Sequence, residues 1–149
     1  MNAERIAIVG SRGYPYPGLV AAYVGTLPQE TVVVSGGARG VDVHAEGTAI
    51  AQGLTVVSFR PIKPDAGIAS SFGPWTIIKK TFWSGFPVED LLLEDYRFFS
   101  FSQAAYFRNG LIVDASDRIE VWWDGVSPGT RNTIRLAEKA GKPVKIRRP

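Results

Sequence analysis

Hydrophobic and polar positions fall into short alternating blocks along the chain. Arg5-Ile6-Ala7-Ile8-Val9 is an apolar run rich in β-branched residues and ended by Gly10, the pattern of a buried strand leading into a tight turn. Thr31-Val32-Val33-Val34 repeats that pattern and runs directly into Ser35-Gly36-Gly37-Ala38-Arg39-Gly40. Residues 54–59, 118–123 and 144–146 are three further runs of the same kind. Between them, apolar residues recur at helical spacing over 19–27, 41–53, 98–113 and 129–140. Strands alternating with helices predict an α/β fold: a doubly wound, mostly parallel five-stranded sheet with helices on both faces.

Residues 61–96 break this rhythm. Pro61, Pro64, Gly67, Gly73, Pro74, Gly85 and Pro87 punctuate a stretch with aromatic and β-branched patches. It reads as an irregular insertion after the third strand, with one short strand or hairpin around 75–83. Ordered loops of this length are usually functional or interfacial.

Composition narrows the chemistry. A chain of 149 residues with 45% hydrophobic positions fits a single domain over 1–149, large enough to bury roughly two-thirds of its unfolded surface without a staple. Its lack of cysteine removes disulfides, iron–sulfur clusters and thiol nucleophiles, and a single histidine, His44, argues against His-based metal sites. Neither a metal nor another cofactor is expected. The sequence holds no apolar run of the roughly 18–20 residues a membrane span needs, nor an N-terminal leader pattern, so the expected compartment is the cytoplasm, away from membranes.

Charge is unevenly divided. The formal net charge is +3, yet residues 131–149 carry seven bases and one acid, while residues 1–130 carry ten bases and thirteen acids. The body is mildly acidic, and the basic tail reads as a solvated edge strand with a frayed end. On this basis nucleic acid is disfavoured as a partner.

In an open parallel sheet, ligands bind outside the carboxyl ends of the strands. The first strand ends in Gly10-Ser11-Arg12, the second in Ser35-Gly36-Gly37-Ala38-Arg39-Gly40 with Asp42 just beyond, the third in Phe59-Arg60-Pro61, and the fourth in Asp124-Gly125-Val126-Ser127-Pro128-Gly129-Thr130. Each ending has an arginine close by: Arg12, Arg39, Arg60 and Arg131. Glycine admits close backbone approach, free N–H groups at a helix start favour an anion, and arginine offers bidentate donors to phosphate. Together they ask for a phosphorylated ligand. Neither glycine loop is a P-loop or a complete Gly-x-Gly-x-x-Gly fingerprint.

The ordered set Gly10-Ser11-Arg12, Ser35-Gly36-Gly37-Ala38-Arg39-Gly40-Val41-Asp42 with Ala45-Glu46, Arg108-Asn109, Asp117, and Trp123-Asp124-Gly125-x-Ser127-x-Gly129-Thr130 resembles the SLOG superfamily. That group of Rossmann-like domains includes the "lonely guy" phosphoribohydrolases and DNA-processing protein A. The likeness spans nearly the whole chain outside 61–96 and is nearest to small stand-alone bacterial and phage members. It implies a nucleotide or nucleotide-derived ligand at the strand ends, where the residue reading already points, and the expected contacts are Gly10, Ser11, Arg12, Ser35, Gly36, Gly37, Arg39, Gly40, Asp42, Arg60, Arg108, Asn109, Asp124, Gly125, Ser127, Gly129 and Thr130. The phosphoribohydrolases carry Gly-Thr-x-x-Glu, and here the glutamate position falls on Thr133, which cannot act as a carboxylate acid or base.

Three functions follow in order of expectation. The first is non-enzymatic binding of a nucleotide or nucleotide-derived signal, as sensor or carrier. The second is an N-glycosidase acting on nucleoside monophosphates, with Glu46 as a displaced carboxylate and Arg108 assisting. The third is single-stranded DNA binding through the basic tail. Asp42 reads as a helix cap or loop-arginine partner, Asp117 as a turn anchor, and Asp124 as either a ribose contact or a turn cap. The aromatic group Trp75, Phe82, Trp83, Phe86, Tyr96, Phe98, Phe99 and Phe101 reads as a homodimer surface, with Trp83 or Tyr96 closing over the ligand.

Overall fold

A computed structural model describes residues 3–63 and 74–149. Seven strands form one sheet: β1 (Arg5–Gly10), β2 (Val32–Ser35), β3 (Thr55–Ile62), β4 (Thr76–Trp83), β5 (Phe86–Leu92), β6 (Arg118–Trp122) and β7 (Val144–Arg147), in the spatial order β5-β4-β3-β2-β1-β6-β7. The pairs from β3 through β7 by way of β1 are parallel, and β4 and β5 extend the sheet antiparallel. Four helices complete the fold: α1 (Pro17–Gly25), α2 (Val41–Ala51), α3 (Phe101–Asp114) and α4 (Pro128–Lys139).

The central strands read as continuous apolar runs because both of their faces are covered. Ile6 and Ile8 of β1 pack with Val20 and Val24 of α1 and Val41, Ala45 and Ala49 of α2. Ala7 and Val9 point the other way, into a second core with Ile112 and Val113 of α3 and Ile134 and Ala137 of α4. The sheet is thus doubly wound. α3 starts at Phe101 because Ser100 caps it: Ser100 Oγ accepts from Gln103 N at 3.1 Å, and Gln103 Oε1 accepts from Ser100 N.

The sheet has seven strands where five were expected, and the difference lies in the segment after β3. Its residues 64–73, with Pro64, Gly67 and Gly73, lie outside the described part. Most of the remainder is a hairpin, with a register shift between Thr81 and Phe82, whose turn, Ser84-Gly85, has φ of 51° and 84°, the positive pair that a two-residue turn matched to strand twist requires. β5 lacks an alternating pattern because it is an edge strand with nearly every residue exposed. Pro87 is tolerated there, where an edge strand does not need every N–H.

The chain leaves β1 toward β2 and leaves β6 toward β7, on opposite sides of the β1–β6 pair. Their connections diverge and open a crevice at the carboxyl ends of these strands.

Candidate functional site

A cleft of about 330 Å³ occupies that crevice. Gly10, Ser11 and Arg12 come from the end of β1, Ala38 and Asp42 from the loop and first turn before and within α2, Phe101, Ala105, Tyr106, Arg108 and Asn109 from α3, and Ser127, Gly129, Thr130 and Thr133 from the start of α4.

Asp42 forms its floor. One carboxylate oxygen accepts from Gly10 N at 3.2 Å, and the other from Gly36 N at 3.1 Å and Ala38 N at 3.4 Å. This single side chain therefore ties the β1 turn to the β2 glycine loop. Burial pushes its pKa up to about 6, against the pull of the Arg108 guanidinium. Arg108 is itself buried, which lowers its pKa, while Asp42 opposes that shift. Its Nη1 donates to Gly36 O at 2.5 Å and Phe59 O at 3.3 Å, and its Nε to Asn109 Oδ1 at 3.1 Å. Asn109 Nδ2 in turn donates to Gly129 O at 3.3 Å and Asn132 Oδ1 at 3.0 Å, joining α3 to α4. Arg108 and Asn109 thus hold the walls together.

Arg12 differs. It is exposed on the rim of the cleft and has no acidic partner within ion-pair distance among the described residues. The start of α4 is also open toward an anion. Ser127 gives that helix no side-chain cap, because its hydroxyl donates to Asp124 Oδ2 at 2.6 Å, so the first-turn N–H groups are left for another acceptor.

Gly40, the residue before α2, holds φ at 84°, and a Cβ there would lie 2.6 Å from Arg12 O. The β1 turn packs directly on this glycine. Gly40→Ala is expected to cost more than about 2 kcal/mol, since the left-handed backbone alone costs an L-residue roughly 1–2 kcal/mol. Urea denaturation of the two proteins measures it.

Other expected residues lie beside the cleft. Arg60 Nη2 donates to Glu46 Oε2 and its Nε to Ser58 Oγ, both at 2.9 Å. The arginine side chain lies across Gly37, where any Cβ would collide with it. Ser35 is fully buried, and its Oγ accepts from Gly37 N at 3.3 Å. Glu46, proposed for a displaced glycosidase step, is therefore buried against Arg60 and does not line the cleft. Arg39 and His44 are exposed. Asp124 caps its own turn, accepting from Val126 N at 2.9 Å and Ser127 N at 2.8 Å. The Ser127 hydroxyl and these amides hold its pKa down to about 2. Its N–H donates to Ser11 Oγ at 3.0 Å, which locks the β1 and β6 loops together. Gly125, at φ 90°, is covered by Arg148. Asp117 accepts from Arg5 N at 2.8 Å and anchors the start of β1.

The aromatic group divides. Trp83 flanks the hairpin turn and pairs with Phe86, next to the register of Val56 at the amino end of β3, far from the cleft end of the sheet. Tyr96 packs on Phe107 at 4.6 Å and does not line the cleft. The rings on the cleft are Phe101 and Tyr106. Tyr106, Ser102 and Ala105 were not anticipated, although Phe101, Ala105, Arg108, Asn109 and Ile112 follow the i, i+4, i+7, i+8, i+11 stripe of one helix face. Among the described residues no group of three His, Cys, Asp or Glu could hold a metal ion, and no helix is long and apolar enough to cross a membrane.

Fold and cleft together define a mixed α/β domain with a mostly parallel sheet and a crevice at its topological switch point. Residues 1–147 match the family described as DNA recombination-mediator protein A, and the chain belongs to that family. Among solved structures, DNA processing protein A from Helicobacter pylori, described for its unique single-stranded DNA binding mode, shares the fold with a TM-score of 0.62 at 22% identity, over 97% of this chain and 65% of that one. DNA processing protein A from Streptococcus pneumoniae does so with a TM-score of 0.61 at 20% identity, over 97% of this chain and 50% of that one. The chain therefore spans less than two-thirds of the length of either. No curated protein matches it.

These findings overturn the expectation that nucleic acid is disfavoured as a partner. That expectation averaged charge over the chain, whereas most acids of the body are committed. Glu4, Glu46, Asp90, Asp117 and Glu120 are ion-paired, and Asp42 and Asp124 serve backbone N–H groups. Among the described residues, Arg12, Arg39, Arg131 and Arg148 have no such acidic partner.

Proposed function

We propose that this chain binds single-stranded DNA, with one nucleotide unit seated in the cleft at the carboxyl ends of β1 and β6. The observation that carries this reading is the uncommitted guanidinium of Arg12, set beside the β1 turn and the uncapped start of α4. Phosphate would sit between them, where charge-assisted donors and helix N–H groups converge. Phe101 and Tyr106 also line the cleft, and stacking of a base on such a ring would be a sequence-tolerant contact. Membership in a DNA recombination-mediator family supports the same partner. The parallel order β3-β2-β1-β6-β7 supports a Rossmann-like reading of the domain, and with it the SLOG resemblance.

A free nucleotide or nucleotide-derived signal is the second reading. It is favoured by the size of the cleft, about 330 Å³, which is at the small end for ligand pockets and suits a single nucleotide. The glycosidase reading gains no support: the carboxylate on the cleft, Asp42, is occupied by three backbone N–H groups, and Glu46 lies outside.

Fluorescence anisotropy of a labelled oligothymidylate tests the first reading. Binding should weaken steeply with salt, with a log–log slope of about −0.7 per phosphate engaged. Calorimetry with nucleoside monophosphates tests the second. A folded protein that leaves oligothymidylate anisotropy unchanged at low salt would overturn DNA binding, and heat from a mononucleotide alone would favour the free ligand.

A further inference from the structure

We propose a second phosphate-binding subsite outside the cleft, built by Arg131, Trp123 and Arg148, that takes the phosphodiester of a neighbouring nucleotide in a bound single strand. It rests on the DNA-binding reading above and extends it to a surface that the cleft does not include.

Strand pairing puts these residues together. β7 runs parallel to β6, with Arg147 opposite Trp122, and Trp123 N donates to Arg147 O at 2.8 Å. Arg148 consequently emerges at the same carboxyl end of the sheet as the cleft, beside Trp123. Its guanidinium covers Gly125 and stands 5.9 Å from the centre of the Trp123 ring. Arg131, in the first turns of α4, stands 5.6 Å from the centre of that same ring. The ring is fixed in place, since Trp123 Nε1 donates to Ser127 O at 3.2 Å. Arg131 directly follows Thr130, which lines the cleft, so the two sites share one loop and one helix start.

Charge bookkeeping around the neighbouring arginine sets this group apart. Arg147 also stacks on rings, 4.4 Å from Trp122 and 4.8 Å from Tyr23, but its guanidinium donates to Glu120 at 2.5 Å. Lys142, another base of the tail, donates to Val113 O at 2.5 Å at the end of α3. Those two cations serve the fold. Arg131 and Arg148 are exposed, share one indole, and have no carboxylate within ion-pair distance among the described residues. Two guanidinium groups that border one ring without a counter-charge leave their donors free for a phosphodiester, whose oxygens match the planar guanidinium fork better than a halide does. The basic tail thus contributes through Arg148 in particular, at the end of the sheet where the cleft opens.

The test compares the full chain with the double variant Arg131→Ala/Arg148→Ala, using labelled oligothymidylates of about four and about twelve nucleotides, which bracket a compact single-strand site. For the longer strand the variant should lose roughly tenfold in affinity, and its log–log salt slope should shrink in magnitude by about 0.7, the share of one phosphate. For the shorter strand, held by the cleft, affinity should change less than about twofold. The variant Arg131→Lys/Arg148→Lys should recover most of the salt slope, because it keeps the charges. Unchanged affinity and slope for the longer strand in the alanine variant would overturn the subsite while leaving the cleft reading intact. Loss of both strands to the same degree would also overturn it, and absence of binding by the unsubstituted chain would remove it together with the reading beneath it.

Discussion

Asp42→Ala is expected to lower the unfolding free energy by about 3–5 kcal/mol, because each buried backbone N–H left without its acceptor costs about 1–3 kcal/mol. The residue is almost fully buried and faces Arg108. Without it, the N–H groups of Gly10, Gly36 and Ala38 lose their acceptor, and the Arg108 guanidinium stays buried with its counter-charge gone. The melting temperature should fall by about 10 °C, given roughly 2–4 °C per kcal/mol in a chain of this size. Calorimetry or urea denaturation measures it.

The same carboxyl sets a pH window. Its folded pKa is about 6, against 3.8 without the fold. Between these values the folded state binds more protons than the unfolded one, so stability from this group falls as pH rises. Its contribution is complete below about pH 4 and lost once pH has risen through about 6. Asp42→Asn cannot titrate, so the stability difference between the two proteins should change by on the order of 3 kcal/mol across that window. Asp124 acts in the opposite sense and lower down: its pKa of about 2 gives stability that is present above about pH 4 and lost as pH falls through 2. Denaturation at several pH values separates the two groups.

Arg12→Ala should have its large effect on binding instead. A charge-assisted hydrogen bond to phosphate contributes about 1.5–3 kcal/mol, so oligothymidylate affinity should drop by roughly 10- to 100-fold at low salt. The melting temperature should hold within about 1 °C, because an exposed side chain without an ion pair contributes little to folding. Arg12→Lys should restore the charge but not the bidentate fork, giving an intermediate affinity. Arg108→Ala offers the contrast: it should unfold the site, since its guanidinium supports Gly36 O and Phe59 O. Anisotropy titrations beside thermal melts distinguish a ligand contact from a wall support.

The parallel centre of the fold was legible from apolar runs alone. Ile6 to Val9, Val32 to Val34 and Ile119 to Trp122 lie in buried central strands, where a continuous apolar run is the direct record of two covered faces. β5 left no such record, because an edge strand in contact with water on both sides needs neither alternation nor apolarity, and Pro87 disguised it further. Glycine loops at the ends of β1, β2 and β6 were also visible, and the cleft takes Gly10, Ser11, Arg12, Asp42, Arg108, Asn109, Ser127, Gly129 and Thr130 from the residues singled out. Charge averaged over the chain misdirected the choice of partner, since a sum over residues does not record which acids are already paired.

By itself, the sequence determined which segments are buried and where the backbone turns tightly, because burial and turn geometry act on neighbouring residues and leave a local pattern. Tertiary structure alone decided the fate of each charged group. Arg108 reaches Gly36, 72 positions away, Arg147 reaches Glu120, and Arg60 takes Glu46, while Arg12, Arg131 and Arg148 are left at the carboxyl end of the sheet with no acid beside them. An arginine looks the same in the chain whether it braces a wall or awaits a phosphate, and only the folded neighbourhood supplies or withholds its counter-charge.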